Sequence, residues 1–157
     1  MLLVLIALIY ILERTIEPAL GDALSFTVAA MDGFDWASNA TNHILYINFL
    51  HLLTLVFPFA KAHFLFQTIS FLGAMGTLVV LSRCLKALNV ATLIRCISIV
   101  LMGLSFTFWR HAEIVEVYTL NLFITAQVVY WFIKWENNRR PKYVFLASLL
   151  LGIAMLL

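Results

Sequence analysis

The chain has 157 residues, 64% hydrophobic and 11% charged, with a formal net charge of +2 and a mean hydropathy of +1.01. Soluble domains carry about 25% charged residues. This composition therefore excludes a water-soluble fold and reads as an all-α, polytopic membrane protein. Nucleic-acid binding is excluded too: no basic stripe is interleaved with aromatics, and the 13 Phe are spread through apolar runs. Cys84 and Cys96 lie in or beside such runs with no CxxC pattern, and read as free thiols.

Leu2–Leu12 is the first apolar run. No basic region precedes it and no small-residue cleavage site follows, so it reads as a membrane helix rather than a removed signal. The other end, Val144–Leu157, breaks off within an apolar run, which predicts a fragment of a longer protein. After the first run comes ERTIEPALGDALSF. Pro18 and Gly21 interrupt the helix, and Asp22 opens a second apolar helix through Ala23–Met31. Asp22 has two readings. As an N-cap it contributes about 1 kcal/mol; held at the membrane surface, its carboxylate could serve as a general base. Asn39-Ala40-Thr41 forms an N-glycosylation sequon.

The stretch 43–60, HILYINFLHLLTLVFPFA, is the most polar of the apolar runs. His43, Asn48, His51 and Thr54 recur along one side of a helix, and Pro58 ends it. That pattern predicts a helix lying in the membrane interface. Apolar runs follow at 62–82, 88–109 and 117–135, and from 143 onward.

Charge orients these runs. With 43–60 not crossing, spans at about 1–12, 62–82, 88–109, 117–135 and 143–157 leave 13–61 as one outer loop. The inner side then holds Arg83, Lys86, Lys134, Arg139, Arg140 and Lys142 against Glu136. The outer side holds Glu13, Glu17, Asp22, Asp32, Asp35, Glu113 and Glu116 against Arg14, Lys61 and Arg110. This satisfies the positive-inside rule and puts both acidic clusters on one face.

Between the third and fourth spans lies RHAEIVEVYTLN, residues 110–121. On a continuous helix, Glu113, Glu116 and residues near 120 share a face. Ionisable groups at that depth usually face the protein interior and mark a site; the other reading is a solvated turn with Trp109 and Tyr118 as interfacial aromatics. Arg110 can pair with Glu113, bind phosphate, or anchor at the interface. The four histidines are dispersed and no metal-ligand motif is present, so no metal is expected. A transporter would place facing polar groups at the bilayer midplane, whereas these acids gather at one surface. A non-catalytic scaffold is the further alternative.

Three elements together, IYILERTIEPALGDALSF, WRHAEIVEVYTLN and YWFIKWENNRRPK, resemble the N-terminal part of a C-type (GT-C) glycosyltransferase family, the bacterial membrane proteins related to protein O-mannosyltransferases. EVYTLN is the most specific piece. The resemblance implies a multi-pass enzyme, with its active face outward in the bacterial plasma membrane. It implies transfer of a sugar, mannose in the related enzymes, from a polyprenyl-phosphate carrier to a hydroxyl of a protein or glycan, with no cofactor. Asp22 corresponds to the expected base. Glu116, Tyr118 and Asn121 correspond to the E-V-Y-x-L-N element, and with Arg110 and Glu113 they form the expected substrate-binding set. Two positions depart from the family pattern: Ser25 stands where a second acid is frequent, and Asn39-Ala40-Thr41-Asn42 where His-Pro-Pro-Gly is frequent.

Overall fold

The computed structural model describes residues 1–14, 22–36 and 43–157. Their regular structure is entirely α-helical: α1 (Leu2–Leu12), α2 (Asp22–Asp32), α3 (Ile44–Val56), α4 (Ala62–Ala87), α5 (Thr92–Gly103), α6 (Phe106–Glu113), α7 (Val117–Asn138) and α8 (Pro141–Ala154). Pro18, Gly21 and the sequon lie outside the described residues.

α4 has 26 residues, about 39 Å at 1.5 Å per residue. Among the described residues it is the one unbroken helix both long and apolar enough to cross a bilayer. The run expected as a single span over 88–109 is instead two helices, α5 and α6, which meet at 61°. The break falls at Gly103-Leu104-Ser105, and Ser105 is extended (φ −65°, ψ 136°) before α6 begins. α1 is tied to it, because the Tyr10 hydroxyl donates to the Gly103 carbonyl at 2.5 Å. α1, α3 and α8 are apolar helices of 11, 13 and 14 residues.

α4 and α7 form the central pair and run parallel. Thr119 Oγ1 donates to the Ser70 carbonyl (2.9 Å), and one bundle length further Asn137 Nδ2 donates to the Ala87 carbonyl (3.5 Å). Two glycines of α4 permit the close approach. A Cβ on Gly73 would lie 2.8 Å from the backbone of Thr119 and Leu120, and one on Gly76 2.6 Å from the Phe123 ring. Small residues at such spacing are how apolar helices bring their backbones together. α5 and α6 carry the chain back between these parallel helices. α8 returns along α7: Tyr143 stacks on Trp131, and Asn121 Nδ2 donates to the Ala154 carbonyl. α1 ends where Arg14 reaches Gln67 near the start of α4. One end of the bundle therefore gathers residues 10–14, 67–70, 113–119 and 154–157, and the other gathers 83–89 and 134–142.

α2 and α3 pack as a hairpin at the first of these ends. α3 stops at Val56, two residues before Pro58, as expected. Its polar stripe is not turned to water, however. Asn48 makes two 2.8 Å bonds to the Asp35 backbone, His51 Nδ1 lies 2.8 Å from the Ala30 carbonyl, and His43 Nδ1 contacts the Leu157 carbonyl. The stripe is polar because it meets backbone groups of α2, of the turn after it and of the residue that ends the chain beyond α8. Two apolar clusters result. One joins α2, α3, α4 and the start of α7 through Phe26, Tyr46, Leu50, Phe66, Val115 and Val117. The other joins α1, α4, α5 and α6 through Ile6, Tyr10, Leu78, Ile99 and Ala112. Residues 112–117 bridge them.

Candidate functional site

The residues between α6 and α7 do not continue a helix. α6 ends at Glu113, Ile114 and Glu116 are extended (φ −112°, ψ 166°; φ −148°, ψ 144°), and α7 starts at Val117. Glu113 and Glu116 therefore do not share a helical face, contrary to the spacing argument. An extended break turns their side chains apart.

α4 holds this break by its backbone. Gln67 Nε2 donates to the Glu113 carbonyl at 2.8 Å. The Ser70 hydroxyl accepts from Glu116 N–H at 3.1 Å and lies 3.2 Å from the Glu116 carbonyl. Gln67, Ser70 and Thr119 are all buried. Arg14 locks Gln67 from the other side: Nε donates to Gln67 Oε1 (2.6 Å), Nη2 to the Phe64 carbonyl and to Thr68 Oγ1 (3.2 Å), and the guanidinium lies over the Phe64 ring. Composition alone does not single out Gln67, Ser70, Arg14 or Tyr46. The available signal is the recurrence of Gln67, Ser70, Gly73, Ala74 and Thr77 every three or four residues, one small and polar stripe on an otherwise apolar helix.

The two carboxyls occupy different surroundings. Glu113 faces the end of α1, near Glu13 and Tyr10, with Trp109 and Arg110 preceding it. Burial raises its pKa, Trp109 and Arg110 pull it back, and Glu13 raises it further. Glu116 faces α2 and α3. It is 6% exposed, and its Oε2 is sealed from solvent with no hydrogen-bond partner among the described residues. Burial, followed by the negative charge of Asp22, pushes its pKa to about 7. Tyr46, wholly buried on α3, has its phenol pushed up chiefly by burial; Ser70 opposes this, and the Glu116 charge adds to it.

Asp22 is the first residue of α2 and is exposed. The structure thus brings Asp22, Glu116, Tyr46 and Ser70 together at one end of the bundle. The other expected residues lie around this cluster. Arg110 is half-buried on α6, where its charge acts on His111 and Glu113; it makes no hydrogen bond among the described residues. Tyr118 is 53% exposed. Its ring meets His111 edge-on at 5.0 Å, and both line a cleft of about 430 Å³ with Met102, Ser105, Phe108 and Leu122. Asn121 is turned to α8, and its Oδ1 accepts from Thr125. Among the described residues no three His, Cys, Asp or Glu side chains gather as metal ligands.

The Glu116 shift carries a stability prediction. Its folded pKa lies well above the ordinary 4.5 of a free glutamate. The folded state therefore holds a proton that the unfolded chain releases, and its stability falls as pH rises from about 4.5 to 7. Glu116→Gln removes that loss. Its stability relative to wild type should improve by about 2 kcal/mol between pH 5 and pH 8, read as thermal midpoints in detergent. A pH-independent difference would contradict the buried carboxyl.

Residues 5–156 match the family model described as the protein O-mannosyl-transferase TMEM260 N-terminal domain. The chain belongs to this family. No curated protein and no solved structure matches it. The family is one of protein O-mannosyl-transferases, a glycosyltransferase class, and the matched part is its N-terminal domain. The match includes Asp22, the paired residues of α4, and the whole of 110–121.

Proposed function

We propose that this chain is the catalytic-face portion of a polytopic, GT-C-type glycosyltransferase. It moves a hexose, mannose by the family's name, from a polyprenyl-phosphate carrier to a hydroxyl of a protein or glycan acceptor. The observation that carries this reading is the placement of Asp22, at the start of α2, over buried Glu116, at the end of the bundle opposite the basic segments 83–86 and 134–142. The helix directions support the expected spans: α1, α5–α6 and α8 run toward the acidic end, and α4 and α7 run away from it. Basic segments at one end suit a cytoplasmic face. The acidic end then faces away from the cytoplasm, whichever membrane holds the chain.

In this reading the Asp22 carboxylate accepts the proton of the acceptor hydroxyl. The oxygen bonds to the anomeric carbon, the bond from that carbon to the phosphate oxygen breaks, and the lipid phosphate leaves with the electron pair. Arg110 offers charge-assisted hydrogen bonds to that phosphate. Tyr118 and the cleft it lines with His111 would receive the lipid-borne donor. The backbone of Glu113 and Glu116, held by Gln67 and Ser70, forms the turn that presents them. No metal or cofactor is needed for these steps.

The test uses the full-length protein in lipid vesicles, given polyprenyl-phosphate mannose and a hydroxyl-bearing acceptor peptide. Sugar should appear on the acceptor. Arg110→Gln should raise the donor KM about tenfold, as expected for losing one charged hydrogen bond. Transfer that is unaffected by Arg110→Gln would remove Arg110 from phosphate binding, and no transfer at all would contradict the function.

A further inference from the structure

The bundle end opposite the acidic residues carries a charged surface that sugar transfer does not use. In segments 83–86 and 134–142, six cations, Arg83, Lys86, Lys134, Arg139, Arg140 and Lys142, stand against one acid, Glu136. All but Lys134 are exposed. Glu136 is taken by Arg139, the one ion pair among the described residues. Asn137 Nδ2 donates to the Ala87 carbonyl at 3.5 Å, so the end of α4 and the end of α7 lie side by side. The aromatic rings of this end seat the cations. Lys134 Nζ lies 5.7 Å from the centre of the Tyr130 ring, the Arg139 guanidinium 4.9 Å from that of Trp135, and Lys142 Nζ 5.2 Å from that of Tyr143. Tyr143 in turn stacks on Trp131, with centres 5.6 Å apart and planes at 16°, which fixes the start of α8 against α7. A ring face orients a cation without cancelling its charge. The positive-inside rule asks only for positive charge in a short loop. It does not ask that the charges be seated on rings, nor does it account for the near absence of acids, since solvated surfaces mix both signs.

We propose that this end is a docking surface for the phosphates of anionic phospholipids in the membrane leaflet it meets. Trp and Tyr settle at the headgroup level of a bilayer, apolar body inward and polar edge outward. Rings at that depth hold Lys134, Arg139 and Lys142 among the phosphates. Arg83, Lys86 and Arg140 add charge that no acid pairs among the described residues. Each Lys or Arg beside an anionic leaflet adds about fivefold to its affinity. Because the seated cations are already oriented, less side-chain freedom is lost when they bind. The surface depends on the chain spanning a bilayer and not on the transfer of a sugar.

The test uses the full-length protein in phosphatidylcholine vesicles that carry a trace of phosphatidylglycerol with a photoreactive headgroup. Cross-links should map to 83–90 and 130–143. Unlabelled phosphatidylglycerol should displace them, and soluble glycerol phosphate should not. Arg140→Gln combined with Lys142→Gln removes two exposed charges and leaves four to orient the chain. Cross-link yield should then fall roughly 25-fold, while the thermal midpoint in pure phosphatidylcholine stays at the wild-type value, so folding is read separately. Tyr143→Leu keeps every charge and removes one seat; its yield should fall about threefold. Cross-links spread evenly over both ends of the bundle, or a yield unchanged in either variant, would overturn the surface. Displacement by glycerol phosphate as complete as by the lipid would identify a free phosphate as the ligand and would equally overturn lipid docking.

Discussion

Asp22→Asn in the full-length protein is expected to lower mannosyl transfer about a thousandfold, within the range that a positioned general base contributes. The substitution keeps the size of the side chain and removes its negative charge and, with it, the ability to take a proton. Asp22 is exposed at the start of α2, so no packing is disturbed, and Asn is tolerated at helix starts as Asp is. Membrane insertion and thermal midpoint should therefore stay near wild type. Relieving Glu116 of a neighbouring negative charge should, if anything, stabilise the fold at alkaline pH. Initial rates in vesicles, alongside extraction-resistant membrane content, decide the matter. Undiminished transfer would remove Asp22 from the chemistry; lost transfer accompanied by lost insertion would mean its role is in folding.

The second large effect is expected at Gly73. A Cβ there would meet the Leu120 nitrogen and Thr119 carbonyl carbon at 2.8 Å and the Thr119 oxygen at 2.9 Å. These are backbone atoms of α7, which cannot rotate aside as a side chain could. Gly73→Ala must therefore push α4 and α7 apart, at about 2–3 kcal/mol for an overpacked contact, and Gly73→Leu should not fold. The separation would also stretch the Thr119–Ser70 bond and loosen the hold of Ser70 on Glu116, so surviving Gly73→Ala protein should show reduced transfer. Gly152→Ala is the control. Nothing lies within 4 Å of its added carbon, and in a helix Ala is favoured over Gly by up to about 1 kcal/mol. Thermal midpoints in detergent should drop by several degrees for Gly73→Ala and hold or rise for Gly152→Ala. Equal midpoints would mean that α4 and α7 do not approach as described.

The helices themselves are largely legible in the apolar runs, because a membrane-like composition leaves few other ways to satisfy a backbone. The run at 2–12, the helix opening at Asp22, the stop before Pro58, and the starts near 62 and 117 all lie where composition and helix breakers place them. What composition cannot register is the direction a polar group faces. His43, Asn48 and His51 read as a water-facing stripe, yet they pair with backbone groups of α2, the turn after it and Leu157 beyond α8. An apolar stretch such as 88–109 also conceals its own bend, since Leu104 and Ser105 are ordinary in a helix and a single Gly such as Gly103 is frequent in membrane helices without a bend. The bend is set by tertiary contacts: Tyr10 on the Gly103 carbonyl, and Ile6 and Leu78 against Gly103. The same holds at 114–116, where helical spacing suggests one face for Glu113 and Glu116. Gln67 and Ser70 instead hold an extended break that sends one carboxyl toward α1 and the other beneath α2. The proximity of Asp22 and Glu116, 94 positions apart, is a product of the fold and has no local signature.

The membrane sidedness of the two bundle ends decides whether Asp22 and the 110–121 segment share a site on the non-cytoplasmic face. Single cysteines would be placed at Met31, Leu88 and Tyr118, exposed at 62%, 57% and 53%, in the full-length protein with Cys84 and Cys96 replaced by Ser. A membrane-impermeant maleimide is then applied from the non-cytoplasmic side. Labelling is expected at 31 and 118, with protection at 88. Labelling at 31 and 88 with protection at 118 would put a bilayer between Asp22 and Glu116, and would contradict the common site.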